Sequence, residues 1–132
     1  DNEIAERMES VNRNYDWVVF EENDQILGFA YVTEWNKRSA YRFTAELTVY
    51  LDPLCKQRGI GSALYAHLIH MYEAKGIQSF IGGITLPNPA SVRLHEKFGF
   101  KKAAHYEKVG FKQNRWLDVG YWQRPHQKNE EP

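Results

Sequence analysis

The chain has little cysteine, no excess of either charge and no long apolar run. Cys55 is its one cysteine, so an internal disulfide is excluded and a reducing cytoplasm is the expected compartment. Seventeen basic and seventeen acidic residues cancel, which argues against a dedicated nucleic-acid binder or a protein of anionic membrane surfaces. No apolar run approaches the length of a membrane span, so neither nucleic acid nor membrane is an expected partner.

The composition that remains is typical of a globular protein. Of 132 residues, 42% are hydrophobic and 14% aromatic, enough for a real core. We expect one domain over residues 1–132, with a polar tail over 125–132. His67, His70 and Glu73 are spaced i, i+3, i+6, but a metal site would need a further ligand from elsewhere, so none is predicted.

Hydrophobic periodicity and breakers predict an α+β fold with a mixed, mostly antiparallel sheet and helices on both faces. Period-two alternation is cleanest over 41–51, where the odd positions are apolar and the even positions, including Glu46, are polar. Asn88 is a predicted N-cap, with Pro89 in the first turn and Gly99 at the end of that helix. The other predicted elements are a helix over 3–14, strands over 17–21 and 26–33 joined by the turn Glu22–Gln25, a helix from Ile60 to about Ala74, and strands over 78–86, 100–108 and 115–124, the last two around Gly110–Asn114.

The run Gln57–Ser62 carries the strongest local signal. Gly59 and Gly61 lie at the start of a helix that follows a strand, where backbone N–H groups and the helix dipole favour an anion such as a pyrophosphate. The run is neither a P-loop, which needs G-x-x-x-x-G-K-[ST], nor a complete G-x-G-x-x-G. The alternative is that both glycines serve only as turn residues.

Two side chains are candidates for acid–base chemistry. Glu46 lies in mid-strand, where a carboxylate is disfavoured, although a solvated sheet face would also explain it. His95 lies on the helix after Asn88, where a packed or surface histidine is the commoner case. Cys55 has no obvious histidine beside it and is treated as incidental.

Four segments together resemble one family. Ala40–Tyr50 resembles the A-Y-x-x-T-x-E-x-[ST]-V-Y signature of phosphinothricin N-acetyltransferases and their methionine-sulfoximine-acetylating relatives in the GNAT superfamily. Gln57–Ser62 is similar to that superfamily's coenzyme A pyrophosphate loop, Leu86–Phe100 to its N-x-x-S-x-x-L-H-E-x-x-G-[FY] helix, and Arg115–Val119 to its W-x-D-[VI] strand. The segments occur in order and cover nearly the whole chain.

The resemblance implies direct acetyl transfer from acetyl-CoA to the primary amine of a small amino-acid-like acceptor, of the phosphinothricin, methionine sulfoximine or methionine sulfone type. Glu46 would be the base, and His95 would either assist thiolate departure or help to deprotonate the amine. Arg38, Tyr41 and Arg42 would meet the acceptor's acid group. The residues implied to hold the cofactor are Val49, Tyr50, Leu51, Gln57, Arg58, Gly59, Ile60, Gly61, Ser62 and Asn88.

The chain departs from the family pattern in three ways. Lys56 stands where the loop usually opens with Gln or Arg, and His95 stands where the wider superfamily has Tyr. The family's first strand and first helix have no counterpart before Asp1. We expect a homodimer that uses the strand edge exposed there and the C-terminal strands, because an open edge invites pairing and Trp116 and Trp122 are not both expected to face water. Two rival functions stay open: a transferase acting on a protein N-terminus or Lys, and a CoA-binding module without catalysis.

Overall fold

The computed structural model describes residues 17–52 and 59–126. The elements are β1 (Trp17–Glu22), β2 (Gln25–Glu34), a 3-10 helix (Ser39–Tyr41), β3 (Thr44–Leu51), α1 (Ile60–Ala74), β4 (Ser79–Leu86), α2 (Pro89–Lys97), β5 (Lys101–Lys112) and β6 (Arg115–Arg124). The strands hydrogen-bond in the order β1-β2-β3-β4-β6-β5, and the pairs β1/β2, β4/β6 and β5/β6 are antiparallel. The α+β class with a mostly antiparallel sheet is therefore confirmed, whereas the helix predicted over 3–14 lies outside the described residues.

The described residues fall into two compact units that share strand β3. The first unit contains β1, β2, the part of β3 from Leu47 onward, and α1. The second contains residues 34–46, β4, α2, β5 and β6. That helices cover both faces of the sheet, and that the chain is one domain, stay predictions.

In the first unit, a tight hairpin and a buried helix stripe fix the local structure. Asn23 and Asp24 both have positive φ, 53° and 61°, which suits a two-residue turn whose twist matches the flanking strands. On α1, Ile60, Leu64 and Leu68 are buried as predicted, each contributing about 1.5–3 kcal/mol by leaving water. No described helix is long and apolar enough to span a membrane.

In the second unit, β4 carries the core and leads directly into α2. Phe80 and Ile84 on β4 are buried with Phe100 and Trp122, and β4 pairs with β6 from Phe80↔Arg124 to Leu86↔Asp118. The predicted caps of α2 are confirmed, because the Asn88 side chain accepts the Ser91 N–H at 3.1 Å. Gly99, with φ 86°, follows the last turn, where a left-handed residue ends a helix without strain.

Strand β3 shows the predicted alternation but begins later than expected. Ala45 and Leu47 are 3% and 1% exposed, whereas the alternate residues Glu46 and Thr48 are half-buried. The prediction that Tyr41 belongs to this strand was wrong. The backbone turns there instead, since the Tyr41 N–H donates to the Arg38 carbonyl at 3.0 Å in the 3-10 helix.

The prediction of a connection over Gly110–Asn114 was also wrong. Strand β5 continues to Lys112, and the turn consists only of Gln113 and Asn114, with φ 51° and 61°. Two residues with positive φ close a hairpin without lengthening the loop, so Gly110 is left inside the ladder, opposite Leu117.

Candidate active site

The N-terminus of α1 is open to an anion. Gly59 is its N-cap in the left-handed region, with φ 75°, and as a glycine it has no side chain to cap the first turn; no acidic residue lies in that turn. The first N–H groups of a helix have no partner within the helix and carry partial positive charge. A Cβ at Gly59 would meet no heavy atom of residues 17–52 and 59–126 within 4 Å, so these residues leave space beside the cap. These features fit the pyrophosphate loop expected from the sequence.

The loop's remaining residues divide by their burial. Ile60 and Gly61 are buried in the first turn, and Ser62 is half-buried. Gln57 and Arg58, predicted to contact the same phosphates, lie outside the described residues, as does Cys55. The described part of the loop therefore supplies backbone donors rather than charged side chains.

The end of β3 is fixed to β2. The Asp52 N–H donates to the Leu27 carbonyl at 2.8 Å, and the Tyr50 ring stacks on Phe29 with centroids 5.0 Å apart. A Cβ at Gly28 would lie 2.8 Å from the Leu51 side chain and 3.1 Å from the Tyr50 carbonyl oxygen. Glycine at this position thus permits the close approach that sets the course of Val49, Tyr50 and Leu51.

Glu46 is an ionisable group on the polar face of β3. It lies between the buried residues Ala45 and Leu47 and is itself half-buried. Burial raises the pKa of its carboxyl above the ordinary value, because desolvation disfavours the charged form. Among residues 17–52 and 59–126, no hydrogen bond or ion pair of this carboxylate is recorded that would oppose the shift. A carboxylate with a raised pKa is a stronger base than an exposed one.

His95 is held in one orientation and is almost fully buried, with 2% exposure. Its Nδ1 lies 2.7 Å from the Ser91 carbonyl oxygen, so we assign the proton to Nδ1 and the lone pair to Nε2. Phe100 packs edge-on against the ring at 5.1 Å. Burial lowers the pKa of His95, with the Ser91 hydrogen bond opposing it. The neutral imidazole is therefore favoured.

Gly82 makes room for that imidazole. A Cβ built at Gly82 on β4 would overlap Nε2 of His95. The ring thus lies close over the backbone of β4, with Nε2 on that side. The sequence places His95 on a helix but gives no signal for this contact, because the contact depends on how α2 packs against β4.

The segment between β2 and β3 holds the three residues predicted to meet the acceptor. The Arg42 guanidinium is engaged locally: Nη1 donates to the Ser39 carbonyl at 2.7 Å, and the group lies 4.5 Å from the Phe43 ring centroid. The Arg38 backbone N–H donates to Asn36 Oδ1 at 2.9 Å. For the Arg38 guanidinium no partner is recorded in the part of the chain that the structure describes, so of the two arginines Arg38 is the more available to an anionic ligand.

Trp35 is a neighbour that the sequence analysis missed. Its ring meets Tyr41 edge-on with centroids 5.4 Å apart, and the two are 43% and 40% exposed. A tryptophan three residues before Arg38 is the sequence signal that could have singled it out. In the described ranges no group of three or more His, Cys, Asp or Glu is arranged to hold a metal ion.

Comparison with known proteins gives the family. Residues 2–120 match the model of the acetyltransferase (GNAT) domain. This match covers most of the chain, and the chain belongs to the GNAT acetyltransferase family.

Curated relatives narrow the resemblance to acetyltransferases of small amino-acid analogues. The chain is 40% identical to a phosphinothricin N-acetyltransferase of Streptomyces viridochromogenes, over 92% of this chain and 67% of that protein. It is 36% identical to an L-methionine sulfoximine/L-methionine sulfone acetyltransferase of Salmonella typhimurium, over 83% of this chain and 64% of that protein. The chain thus spans about two thirds of the length of these relatives.

Solved structures of similar proteins share the fold. A phosphinothricin acetyltransferase from Sinorhizobium meliloti, in complex with acetyl-CoA, superposes with a TM-score of 0.83 at 36% identity, covering 95% of this chain and 69% of that one. A ribosomal-protein-alanine N-acetyltransferase from Brucella melitensis gives a TM-score of 0.82 at 30% identity, covering 94% and 77%. Acetyl-CoA is the cosubstrate of the family.

Proposed function

We propose that the chain transfers an acetyl group from acetyl-CoA directly to the primary amine of a small amino-acid-like acceptor, of the phosphinothricin, methionine sulfoximine or methionine sulfone type. The observation that carries the proposal is Glu46, a half-buried carboxylate with a raised pKa in mid-strand of a GNAT domain. A chain that only bound coenzyme A would gain nothing from this desolvated carboxylate.

Binding of the donor is assigned to two backbone segments and one side chain. The pyrophosphate is held by N–H groups of Gln57–Ser62 at the start of α1, which is supported by the glycine N-cap and by a first turn without acidic residues. The pantetheine amides pair with the backbone of Val49, Tyr50 and Leu51 as an added strand would. Asn88 contributes its amide; its Oδ1 already caps α2, so Nδ2 is the group left to donate.

The chemical step needs a base, a polarised carbonyl and a leaving thiolate. Glu46 accepts a proton from the acceptor ammonium, directly or through a water. The free amine then forms a bond to the thioester carbon, and a backbone N–H at the end of β3 polarises the carbonyl oxygen. The C–S bond breaks, coenzyme A leaves as the thiolate, and that thiolate takes up the proton that the attacking nitrogen loses as the amide forms.

His95 supports this reaction as an acceptor of a hydrogen bond rather than as an acid. The hydrogen bond from Nδ1 to the Ser91 carbonyl leaves Nε2 without a proton in the neutral ring. Adding a proton there would place a charge on a group that is 2% exposed. Of the two roles that the sequence left open, we therefore propose help with deprotonation rather than donation to the thiolate.

Recognition of the acceptor is assigned to the segment between β2 and β3. Arg38 binds the acceptor's acid group, because its guanidinium has no recorded partner among the described residues and a guanidinium matches a carboxylate bidentately. Tyr41 contributes ring surface beside it. The Arg42 guanidinium already contacts the Ser39 carbonyl and the Phe43 ring, so Arg42 acts by fixing the conformation of this segment.

The proposal includes a homodimer in the cytoplasm. The described strand β5 is an edge of the sheet and is exposed along most of its length, and such an edge favours pairing with another chain. The single cysteine in 132 residues suits a reducing compartment.

A protein N-terminus is the second candidate acceptor. The Brucella melitensis neighbour is named for acetylating a ribosomal protein's alanine, and it matches 94% of this chain. A peptide would present its carboxyl group far from the amine, whereas an amino acid places the two on one carbon. The two acceptors therefore differ in their need for Arg38.

The test is thiol release from acetyl-CoA over a panel of amines. We expect turnover with phosphinothricin, methionine sulfoximine and methionine sulfone, and little with a peptide that begins with alanine or with an acetylation-competent lysine peptide. Arg38→Gln should raise KM for the amino-acid analogues, while Lys37→Gln, beside it in the chain, serves as the matched loss of charge. Turnover with a peptide but with none of the amino-acid analogues would support the second candidate. Acetyl-CoA binding without turnover of any amine would indicate a coenzyme A-binding module without catalysis.

A further inference from the structure

The side chain of Tyr121 on β6 leans across the neighbouring strand β4. Tyr121 is paired with Gly83 in the register, and a Cβ at Gly83 would lie 3.1 Å from Cε1 of the tyrosine ring and 3.6 Å from Cζ. The ring therefore already lies above β4. Because the hydroxyl extends beyond Cζ, it points away from β6 toward β3, which is the next strand of the sheet after β4.

The ring of Tyr121 is supported on its other side, while its hydroxyl is available. The Tyr106 ring on β5 meets the Tyr121 ring edge-on, with centroids 5.9 Å apart. Tyr121 is half-buried, and no hydrogen bond of its hydroxyl is recorded among residues 17–52 and 59–126. A phenolic O–H both donates and accepts hydrogen bonds, so this group can bind a polar ligand on the face of the sheet where it lies.

Strands β3 and β4 run in the same direction. The carbonyl of Phe43, immediately before β3, accepts the N–H of Ser79, the first residue of β4, at 3.1 Å. Because both strands begin at this hydrogen bond, they are parallel neighbours in the sheet. Counting along them puts Ala45 beside Phe80, and both are buried, as expected for two residues on one face of a sheet.

Glu46 and the Tyr121 ring lie on the face opposite to that buried pair. Glu46 follows Ala45 and lies beside Ile81, and Glu46 and Ile81 are both half-buried. Gly83, two residues beyond Ile81, is exposed on the same face, since successive residues of a strand alternate. Two residues along a strand span about 6.6 Å and neighbouring strands are about 4.8 Å apart, which puts the Cα atoms of Glu46 and Gly83 about 8 Å apart.

This spacing fits an amino acid whose side chain ends in a polar group. In the proposed acceptors, four bonds separate the amine nitrogen from the phosphorus or sulphur atom, which is about 5 Å in an extended chain. A hydrogen bond of about 2.8 Å at each end extends the reach to about 10 Å, enough to join Glu46 to the Tyr121 hydroxyl above Gly83. Phosphinyl, sulfoximine and sulfone groups all carry oxygens that can accept a hydrogen bond.

We propose that the Tyr121 hydroxyl donates a hydrogen bond to an oxygen on the acceptor's side chain, while Glu46 takes the proton of the acceptor's amine. Tyr121 is then a residue that determines acceptor specificity, because it favours a side chain that ends in an oxo group over an apolar side chain of equal length. The inference rests on the proposed function, since it assigns the far end of the same acceptor.

Methionine sulfone and methionine test this contact, because they differ only in the two oxygens on sulphur and a thioether is a weak acceptor of hydrogen bonds. Wild type should show the higher kcat/KM for methionine sulfone in thiol release. Tyr121→Phe should reduce the ratio of the two kcat/KM values by about three- to tenfold, the usual effect of losing one neutral hydrogen bond. Poor folding alone would lower both values together and leave their ratio unchanged. Tyr106→Phe is the matched control: it removes the hydroxyl of the neighbouring ring, and the ratio should stay at that of wild type.

Gly83→Ala moves the Tyr121 hydroxyl without removing it. The new Cβ would lie 3.1 Å from the ring, so the ring must shift and the ratio should fall here as well. Isothermal titration of both amino acids into the protein saturated with coenzyme A gives the same comparison without turnover. An unchanged ratio in Tyr121→Phe, or an equal fall in Tyr106→Phe, would overturn the proposal. A binding ratio that falls in Tyr121→Phe, with no thiol release by wild type, would support this contact and overturn the proposed reaction.

Discussion

Glu46 on β3 and His95 on α2 show the same physical effect acting on groups of opposite charge. Burial raises the pKa of Glu46 and lowers the pKa of His95, so both groups are biased toward their neutral forms. The difference lies in what surrounds them. His95 is fully buried, donates from Nδ1 to Ser91 and lies over Gly82, whereas Glu46 is half-buried and no partner of its carboxylate is recorded within the described residues. The histidine is held in place, and the carboxylate is available to exchange a proton.

The largest expected effect comes from removing Glu46, the proposed base. Glu46→Gln keeps the size and hydrogen-bonding capacity of the side chain but cannot accept the amine proton, so turnover at neutral pH should fall by about two to four orders of magnitude. Steady-state thiol release with a verified acceptor measures it. The binding of acetyl-CoA should barely change, which isothermal titration checks. Turnover close to that of wild type would return Glu46 to the simpler interpretation of a solvated strand residue.

Next in size is the effect of a carboxylate placed at the start of α1. Acetyl-CoA should raise the melting temperature of wild type by binding the folded state. Ser62→Glu should remove most of this rise, because the new carboxylate repels the pyrophosphate, and affinity should fall at least about tenfold. The helix itself should not suffer, since an acidic residue in a first turn is favourable. Ser62→Ala is the control, and an undiminished rise in Ser62→Glu would remove this turn from the binding site.

A smaller effect on turnover distinguishes the roles of Nδ1 and Nε2 of His95. Asn at this position can replace the Nδ1 donor to Ser91, and Gln can instead place a polar group near Nε2. If the Nε2 lone pair takes part in deprotonation, His95→Gln should retain more turnover than His95→Asn, with the Asn variant down by about tenfold and less affected than Glu46→Gln. Equal losses in the two variants, at equal melting temperatures, would contradict a role for Nε2.

The smallest expected effect is the change in stability caused by Glu46→Gln. This substitution should lower turnover but raise the stability of the fold. Because the folded-state pKa of Glu46 is raised, its contribution to stability is fully present below its unfolded pKa and is lost as pH rises through the folded pKa. Glu46→Gln should therefore melt a few degrees higher than wild type at neutral pH, on the order expected for one desolvated charge. Differential scanning calorimetry should show this gain shrinking toward pH 4. A Gln variant that melts lower at neutral pH would mean that the carboxylate is stabilised in the fold.

Local rules were enough to predict the elements that carry the site. The caps of α2 and the buried stripe of α1 follow from short-range spacing, and the structure confirms Asn88, Pro89 and the Ile60, Leu64 and Leu68 positions. The alternation on β3 correctly placed Glu46 on the polar face. In each case the information lies within a few residues of the feature, so the sequence is sufficient.

Features set by contacts distant in sequence could not be predicted in this way. The burial of His95 depends on the missing side chain at Gly82, thirteen residues earlier on β4. The irregular pairing at Lys108 involves a hydrogen bond to Asp118 on the opposite strand of the hairpin. Strand β5 continues past this point to Lys112, where the sequence had predicted a connection. Tyr41 was included in the predicted strand because, like Phe43, it occupies an odd position in the alternating pattern. In the structure, hydrogen bonds between residues three apart hold it in a 3-10 helix instead.

The comparison between Glu46 and His95 is tested most directly by the pH dependence of kcat/KM. For wild type, kcat/KM should rise with an acid limb whose midpoint lies above the ordinary glutamate value, because that limb reports the base of the free enzyme. In Glu46→Gln this limb should disappear, leaving a rate that climbs only as the acceptor amine itself loses its proton. An acid limb with the same midpoint in both proteins would contradict the account, since the group that limits turnover at low pH would then be another.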